Sequence, residues 1–71
     1  MQRYLILIEP TQNGFSAYSP DLPGCAATGS TRVDVERNMR EAVEDHLEGL
    51  REMGEPVPPP STSAAYVEVA A

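Results

Sequence analysis

One long amphipathic pattern, between Thr31 and Gly54, constrains this chain more than any other feature. Thr31 is a good helix N-cap, Asp34 three residues later can complete a capping box, and Gly54 stands where a glycine ends a helix. The residues between them that share one helical face are Val35, Met39, Ala42, Val43, His46, Leu47, Leu50 and Met53. A chain of 71 residues has room for this helix and a small sheet, in a single domain of residues 1–71.

Three short segments before the helix have the length and composition of β-strands. Residues 3–9 form a continuous apolar run, residues 15–19 alternate between two faces, and residues 25–28 carry small side chains. The Asn13-Gly14 pair between the first two segments suits positive φ angles and predicts a hairpin turn.

A fourth strand is predicted at residues 65–69, after a proline-rich connector at residues 55–63. The order β-β-β-α-β predicts an α+β fold with a four-stranded mixed sheet of order 3-2-1-4 and one helix packed on one face. Leu5 and Leu7 lie on the opposite face of the first strand, which the helix does not cover. Because that face needs a second cover, we expect a homo-oligomer, a dimer or a tetramer, or another protein partner.

The composition limits the kinds of partner. The formal net charge is −6, and the five cationic side chains are all arginines. An acidic surface repels phosphate, so we expect a basic protein partner and no direct binding of nucleic acid by this chain alone. The sequence lacks a membrane-spanning apolar segment and a signal-peptide pattern, which favours a cytoplasmic protein.

No catalytic, metal or cofactor site is predicted. Cys25 has no base near it in sequence and is interpreted as apolar filler, and His46 has no second ligand at helical spacing. Two-metal hydrolysis needs several converging carboxylates, whereas the strands offer only Glu9 and Glu68. The chain is therefore not expected to be an enzyme.

The loop from Pro20 to Gly24 is interpreted mainly as a rigid turn. Its prolines restrict the backbone, its glycine relieves steric strain, and Asp21 can accept hydrogen bonds from nearby backbone amides. Leu22 is an apolar side chain at the predicted loop tip, so we expect it to contact a partner. The structural motif comprises Pro20, Asp21, Pro23, Gly24, Cys25 and Thr31.

The predicted helix also carries an acidic surface, made of Glu41, Glu44, Asp45, Glu48 and Glu52. One interpretation is a solvated face that is partly paired with Arg37, Arg40 and Arg51. The other is a surface that attracts a basic partner. Like charges at four-residue spacing oppose helix stability slightly, which gives the second interpretation a physical motive.

Two stretches resemble the HicB-like family of bacterial antitoxins. They read Gly14-Phe15-x-Ala17-x-x-Pro20-Asp21-Leu22-Pro23-Gly24-Cys25 with Gly29-x-Thr31, and Asn38-x-x-Glu41-Ala42-Val43-x-x-His46-Leu47-Glu48 with Gly54-x-Pro56-x-Pro58. Together they span nearly the whole chain in the family's order. The resemblance implies a partial ribonuclease-H-like fold. It also implies neutralisation of a small, basic, RNA-cleaving HicA-type toxin of double-stranded-RNA-binding fold.

The chain departs from the family pattern in two places. Val33-Asp34-Val35 stands where members often carry Glu-Glu-Ala, which changes a surface and leaves the fold intact. Many members append a DNA-binding segment after the fourth strand, and this sequence stops there, so autorepression by this polypeptide alone is not expected.

We therefore predict an antitoxin-type binding module that masks the RNA-binding or catalytic surface of a toxin. The expected contacts are apolar at Leu5, Leu7, Tyr18 and Leu22, and electrostatic at Asp45 and Glu48. An orphan oligomeric domain without a toxin and a degenerate metal-dependent nuclease remain as alternatives.

Overall fold

The computed structural model describes residues 2–71. In chain order its elements are β1 (Leu7–Thr11), β2 (Gly14–Tyr18), β3 (Ala26–Gly29) and α1 (Arg32–Glu52). Across the described part of the chain, the strands form one antiparallel sheet of order β1-β2-β3, and α1 packs on one of its faces. The predicted α+β class with a single helix is confirmed.

A two-residue turn joins β1 to β2, with Thr11 opposite Gly14. The hairpin is confirmed, but the positive φ angles predicted for Asn13 and Gly14 were wrong, because within residues 2–71 only two other glycines have them. Gly14 serves a different purpose. A Cβ atom there would lie 2.5 Å from the carbonyl oxygen of Gly29, so glycine permits close approach of β2 and the end of β3.

The N-terminus of α1 is capped as the sequence predicts. The Thr31 hydroxyl accepts a hydrogen bond from the backbone N–H of Asp34 at 3.1 Å. The Asp34 carboxylate turns to Ser30 and Arg37, each at 3.0 Å, rather than completing the capping box. The Ser30 hydroxyl, followed by further hydrogen bonds and the Arg37 charge, lowers the pKa of Asp34 below its ordinary value of 3.8.

The C-terminus of α1 ends in a Schellman motif. Gly54 has a φ of +70° and donates its backbone N–H to the Arg51 carbonyl, while Glu55 donates to the Leu50 carbonyl at 2.9 Å. The predicted glycine stop is confirmed. Met53, predicted on the apolar stripe, is 67% exposed at the C-cap, so the stripe ends before it.

The core lies where α1 crosses β2 and β3. Its buried apolar residues are Ala17, Leu22, Cys25, Val35 and Met39, and the partly buried residues around them are Tyr4, Ile6, Ile8, Phe15, Ala27, Ala42, Val43 and Leu47. The helix contacts β3 most and β2 next, and makes little contact with β1. The helix-facing side of β1 is consequently less covered than the rest of the sheet.

Ladder pairing in the first strand begins later than the sequence predicts, at Leu7 instead of residue 3. Residues 3–6 continue from β1 toward the N-terminus, and the Leu5 carbonyl accepts a hydrogen bond from the Ser19 hydroxyl at 3.0 Å. Tyr4 and Ile6 pack against the core, as Ile8 does, an alternation typical of extended chain.

Residues 65–69 do not join the sheet of their own chain. They belong to a C-terminal arm, residues 63–71, in which every residue is exposed. The connector before the arm is bonded to the body, and beyond Thr62 the chain leaves the body instead of returning to the β1 edge. The predicted four-stranded sheet of order 3-2-1-4 is therefore not formed by a single chain.

Candidate interaction surfaces

The sheet face that α1 leaves uncovered, here called the rear face, carries three of the predicted contact residues. Leu7 is opposite Tyr18 in the β1–β2 register, so the two share a face, and Leu5 lies on that face by alternation. Leu5 and Leu7 are half-buried, and Tyr18 is 45% exposed. The rear face is thus a small apolar patch on which Tyr18 offers the largest accessible side chain.

Leu22 is not part of any surface, because its side chain is fully buried in the core. Two tight turns fold the loop inward: Leu22 donates its N–H to the Ser19 carbonyl, and Cys25 donates to the Leu22 carbonyl at 3.0 Å. Pro23 and Gly24 occupy the centre of the second turn, where the glycine φ of +84° matches a type II turn. This geometry corrects the expectation that Leu22 contacts a partner.

The Asp21 carboxylate holds the end of the connector. It accepts hydrogen bonds from the backbone N–H groups of Ser61 and Thr62, both at 3.1 Å, and from their hydroxyls at 3.2 Å and 2.6 Å. The Thr62 hydroxyl contributes most to lowering the pKa of Asp21 below its ordinary value of 3.8. We call this set of contacts the Asp21 clasp. The sequence suggested backbone partners for Asp21, but nothing local in it points to residues 40 positions away.

The connector makes a second contact with the body. The Tyr4 hydroxyl donates to the Pro58 carbonyl at 2.5 Å. Pro58 and Val57 are half-buried, so this part of the connector packs on the body while the arm that follows does not. The connector is consequently an anchored strap rather than a free linker.

The acidic surface of α1 is exposed along its length and lies opposite the buried stripe. Its five members are Glu41, Glu44, Asp45, Glu48 and Glu52. The ion pairs among the described residues are Arg32–Glu36 and Arg37–Asp34, and neither includes a member of this surface. The predicted pairing with Arg37, Arg40 and Arg51 is therefore not formed. The acidic surface stands without close compensation by cations.

An open groove of about 570 Å³ runs between α1 and the N-terminal continuation of β1. Its apolar lining comes from Tyr4 and Ile6 on one side and from Val43 and Leu47 on the other, and Arg40 and Arg51 are among its polar residues. This groove was not predicted from the sequence, because the predicted fourth strand was expected to lie beside β1.

The residues with potential chemical reactivity lie apart from one another. Cys25 is 4% exposed, and burial raises the pKa of its thiol, so the group stays protonated at neutral pH and fills the core as predicted. His46 is half-buried on α1. In residues 2–71 no three His, Cys, Asp or Glu side chains converge in a way that could hold a metal ion. No helix in this part of the chain is long and apolar enough to cross a membrane.

Known proteins resemble this chain over most of its length. Residues 4–70 match the family model described as the HicB-like antitoxin of bacterial toxin-antitoxin systems. The chain is similar to an uncharacterised 14.9 kDa protein of Haemophilus phage HP1, with 34% identity over 90% of this chain and 48% of the phage protein. It is also similar to a UPF0150 protein of Thermoplasma acidophilum, with 30% identity over 79% of this chain and 83% of that protein.

Two solved structures resemble the chain. One, described as the HicA3 and HicB3 toxin-antitoxin complex, aligns with a TM-score of 0.73 and 42% identity over 83% of this chain and 70% of the solved chain. The other, the crystal structure of antitoxin HicB3, aligns with a TM-score of 0.70 and 40% identity over 84% of this chain and 44% of that one. The chain thus spans about half the length of the phage protein and of the HicB3 chain.

Proposed function

Because the chain belongs to the HicB-like antitoxin family, we propose that it binds a small basic toxin of the HicA type and masks the surface with which that toxin binds or cleaves RNA. The observation that carries this proposal is the uncompensated acidic surface of α1. The proposal is supported by the likeness to a chain from a solved complex of HicA3 with HicB3. The function is binding, without turnover.

Electrostatic mimicry is the first part of the mechanism. A protein that binds RNA presents cationic side chains to the phosphates. Asp45 and Glu48 lie in the middle of the acidic surface, both exposed, and carry charges of the same sign as phosphate. They take the place of the RNA backbone, and the complementary potentials speed the encounter of the two proteins.

Apolar contact is the second part. Tyr18 stands on the rear face with Leu7 beside it in the register. Partly exposed tyrosines are frequent anchors at protein interfaces, because the ring supplies apolar area and the hydroxyl keeps a polar contact. Tyr18, Leu7 and Leu5 form the apolar part of the contact with a partner. We expect the complex to form in the cytoplasm, where RNA substrates of a toxin are found.

The test begins with the protein encoded beside this chain. Co-expressed with a small basic neighbour that arrests growth, the wild-type chain restores growth and stops RNA cleavage. The double variant Asp45→Asn with Glu48→Gln removes two charges from the acidic surface. An exposed ion pair contributes about 0.2–1 kcal/mol. Because the double variant loses two such charges, we expect its affinity for the toxin to fall by about 2- to 30-fold.

The matched control removes the same charge elsewhere. Glu36 and Glu55 are exposed and lie outside both the acidic surface and the rear face, so Glu36→Gln with Glu55→Gln should leave toxin affinity unchanged. Equal loss in both double variants would show that net charge alone acts and would contradict the role of this surface. A genome without a toxin-like neighbour would favour an orphan domain, and RNA cleavage by the purified chain with Mg²⁺ would favour the nuclease alternative.

A further inference from the structure

The C-terminal arm carries strand-forming side chains that its own chain leaves bare. Tyr66 is fully exposed, Val67 is 81% exposed and Val69 is 78% exposed. Three large apolar side chains within four residues are costly to leave in water, and β-branched and aromatic residues favour strands. The arm therefore has the composition of a strand and no partner strand in its own chain.

The sheet of the same chain has an open edge that matches the arm. β1 lies at one edge of the sheet and pairs only with β2, within the residues that the structure describes. Residues 3–6 extend this edge toward the N-terminus. Unpaired backbone N–H and C=O groups at such an edge are a template for a further strand.

The groove places the missing strand beside β1 rather than beside β3. The helix already packs closely over β3, where a Cβ atom on Gly29 would collide with the backbone of Val35. Beside β1 the groove is open, and Ile6 and Leu47 are among the apolar side chains in its walls. A strand added at this edge would bury side chains in the groove and pair its backbone at the same time.

We propose that the arm of one copy adds as a strand to the β1 edge of a second copy, and that the second copy returns its arm in the same way. The fourth strand of the sheet is then supplied in trans. Val67 and Val69 fill the partner's groove, and Tyr66, which points to the other side, widens the rear face beside Leu5.

A second copy fits better than an unrelated partner, because each chain carries both the arm and the edge that receives it. The Asp21 clasp holds the chain at Thr62, and every residue beyond it is exposed, so the arm is available to another molecule. A reciprocal exchange also closes on itself as a two-fold dimer.

The substitution Val67→Pro tests the exchange. Val67→Pro removes a backbone donor from the arm and disfavours a central strand, and because Val67 contacts no part of its own core, the body should fold as before. Val67→Thr is the matched control, since it keeps the β-branched shape and the N–H group. In sedimentation experiments on the purified chain, we expect a dimer for wild type and for Val67→Thr. For Val67→Pro we expect the dissociation constant of the dimer to rise by about 10-fold or more, so that single chains predominate.

Hydrogen exchange identifies which edges pair. We expect protection of the amides of residues 65–69 together with amides of residues 3–9 that face away from β2, and loss of both in Val67→Pro. A wild-type chain that sediments as a monomer, or equal dimerisation of Val67→Pro, would overturn the proposal. Protection confined to the arm would mean that arms pair with each other, which also overturns it. These measurements contain no toxin, so their outcome is independent of the antitoxin proposal.

Discussion

The Asp21 clasp joins two parts of the chain that are 40 positions apart, through a carboxylate that accepts four hydrogen bonds. Its donors are Ser61 and Thr62, the last residues before the arm. Since an ionised carboxylate accepts hydrogen bonds more strongly than a protonated one, this contact depends on the charge of a single side chain. That charge therefore holds the end of the connector, where the arm begins.

The pH dependence of the clasp follows from the lowered pKa of Asp21. At any pH above the ordinary pKa of 3.8, the ionised Asp21 carboxylate contributes its full stabilisation to the folded state. This stabilisation is lost as the pH falls through the lowered pKa that the carboxyl has in the folded chain. We expect the amide proton shifts of Ser61 and Thr62 in NMR spectra to stay constant near neutral pH and to move only in that acidic range. Asp21→Asn should abolish the titration, and Asp45→Asn should not. A titration that persists in Asp21→Asn would contradict this assignment.

Local chemistry explains which single residues the sequence predicted well. Thr31 and Gly54 act within a few residues of themselves, so spacing alone identified both caps. Leu22 was wrongly predicted to lie at an exposed loop tip. Its burial depends on tertiary packing of the loop against the core, which local sequence does not show. The partners of Asp21 were missed for a similar reason, since a contact across the whole helix leaves no local pattern.

At the scale of the elements, two glycines allow close packing of the sheet. Gly14 sits against the carbonyl oxygen of Gly29, and a methyl group there would lie 2.5 Å from that oxygen. Because the obstacle is backbone, it cannot move aside as a side chain would. We expect Gly14→Ala to lower the free energy of unfolding by about 1–3 kcal/mol, measured by urea denaturation.

Gly49 provides the contrasting control for this prediction. It lies within α1, and a Cβ atom there would meet nothing within 4 Å. Alanine favours a helix interior over glycine, so Gly49→Ala should raise the free energy of unfolding by about 0.5–1 kcal/mol. Destabilisation by both substitutions would indicate that the loss at Gly14 does not arise from the close contact.

The elements themselves differ in how far sequence could predict them. The helix was predicted nearly to its ends, because 21 residues of periodic pattern carry redundant information. The first strand was drawn too long at its N-terminus, since an apolar run shows where a strand is possible and not where its ladder begins. Residues 65–69 have the composition of a strand but pair with no strand of their own chain. The position of these residues relative to the sheet could not be predicted, because it depends on which sheet edge the connector can reach.

At the scale of the whole molecule, charge is distributed unevenly. The net charge is −6, and the cations that form ion pairs within residues 2–71 lie in the first part of α1. The later part of α1 therefore presents a negative field to the surroundings. Such a field extends about 8 Å at physiological ionic strength and acts mainly on the rate of encounter.

The salt dependence of association checks this field. We expect the association rate with a basic toxin, measured by stopped flow, to fall as ionic strength rises, while the dissociation rate changes little. In the double variant Asp45→Asn with Glu48→Gln, the slope of the rate against ionic strength should be smaller than in wild type. Identical slopes would show that the acidic surface does not steer the encounter.

The bare arm has a consequence for the lifetime of the protein. Residues 63–71 stand clear of the body, and an exposed, extended terminus is the form of chain that proteases degrade most readily. In a single chain this arm is accessible to proteases, whereas in the proposed dimer the partner chain covers it. Because dimerisation increases with concentration, the rate of proteolytic degradation per molecule would then fall as the concentration of the protein rises.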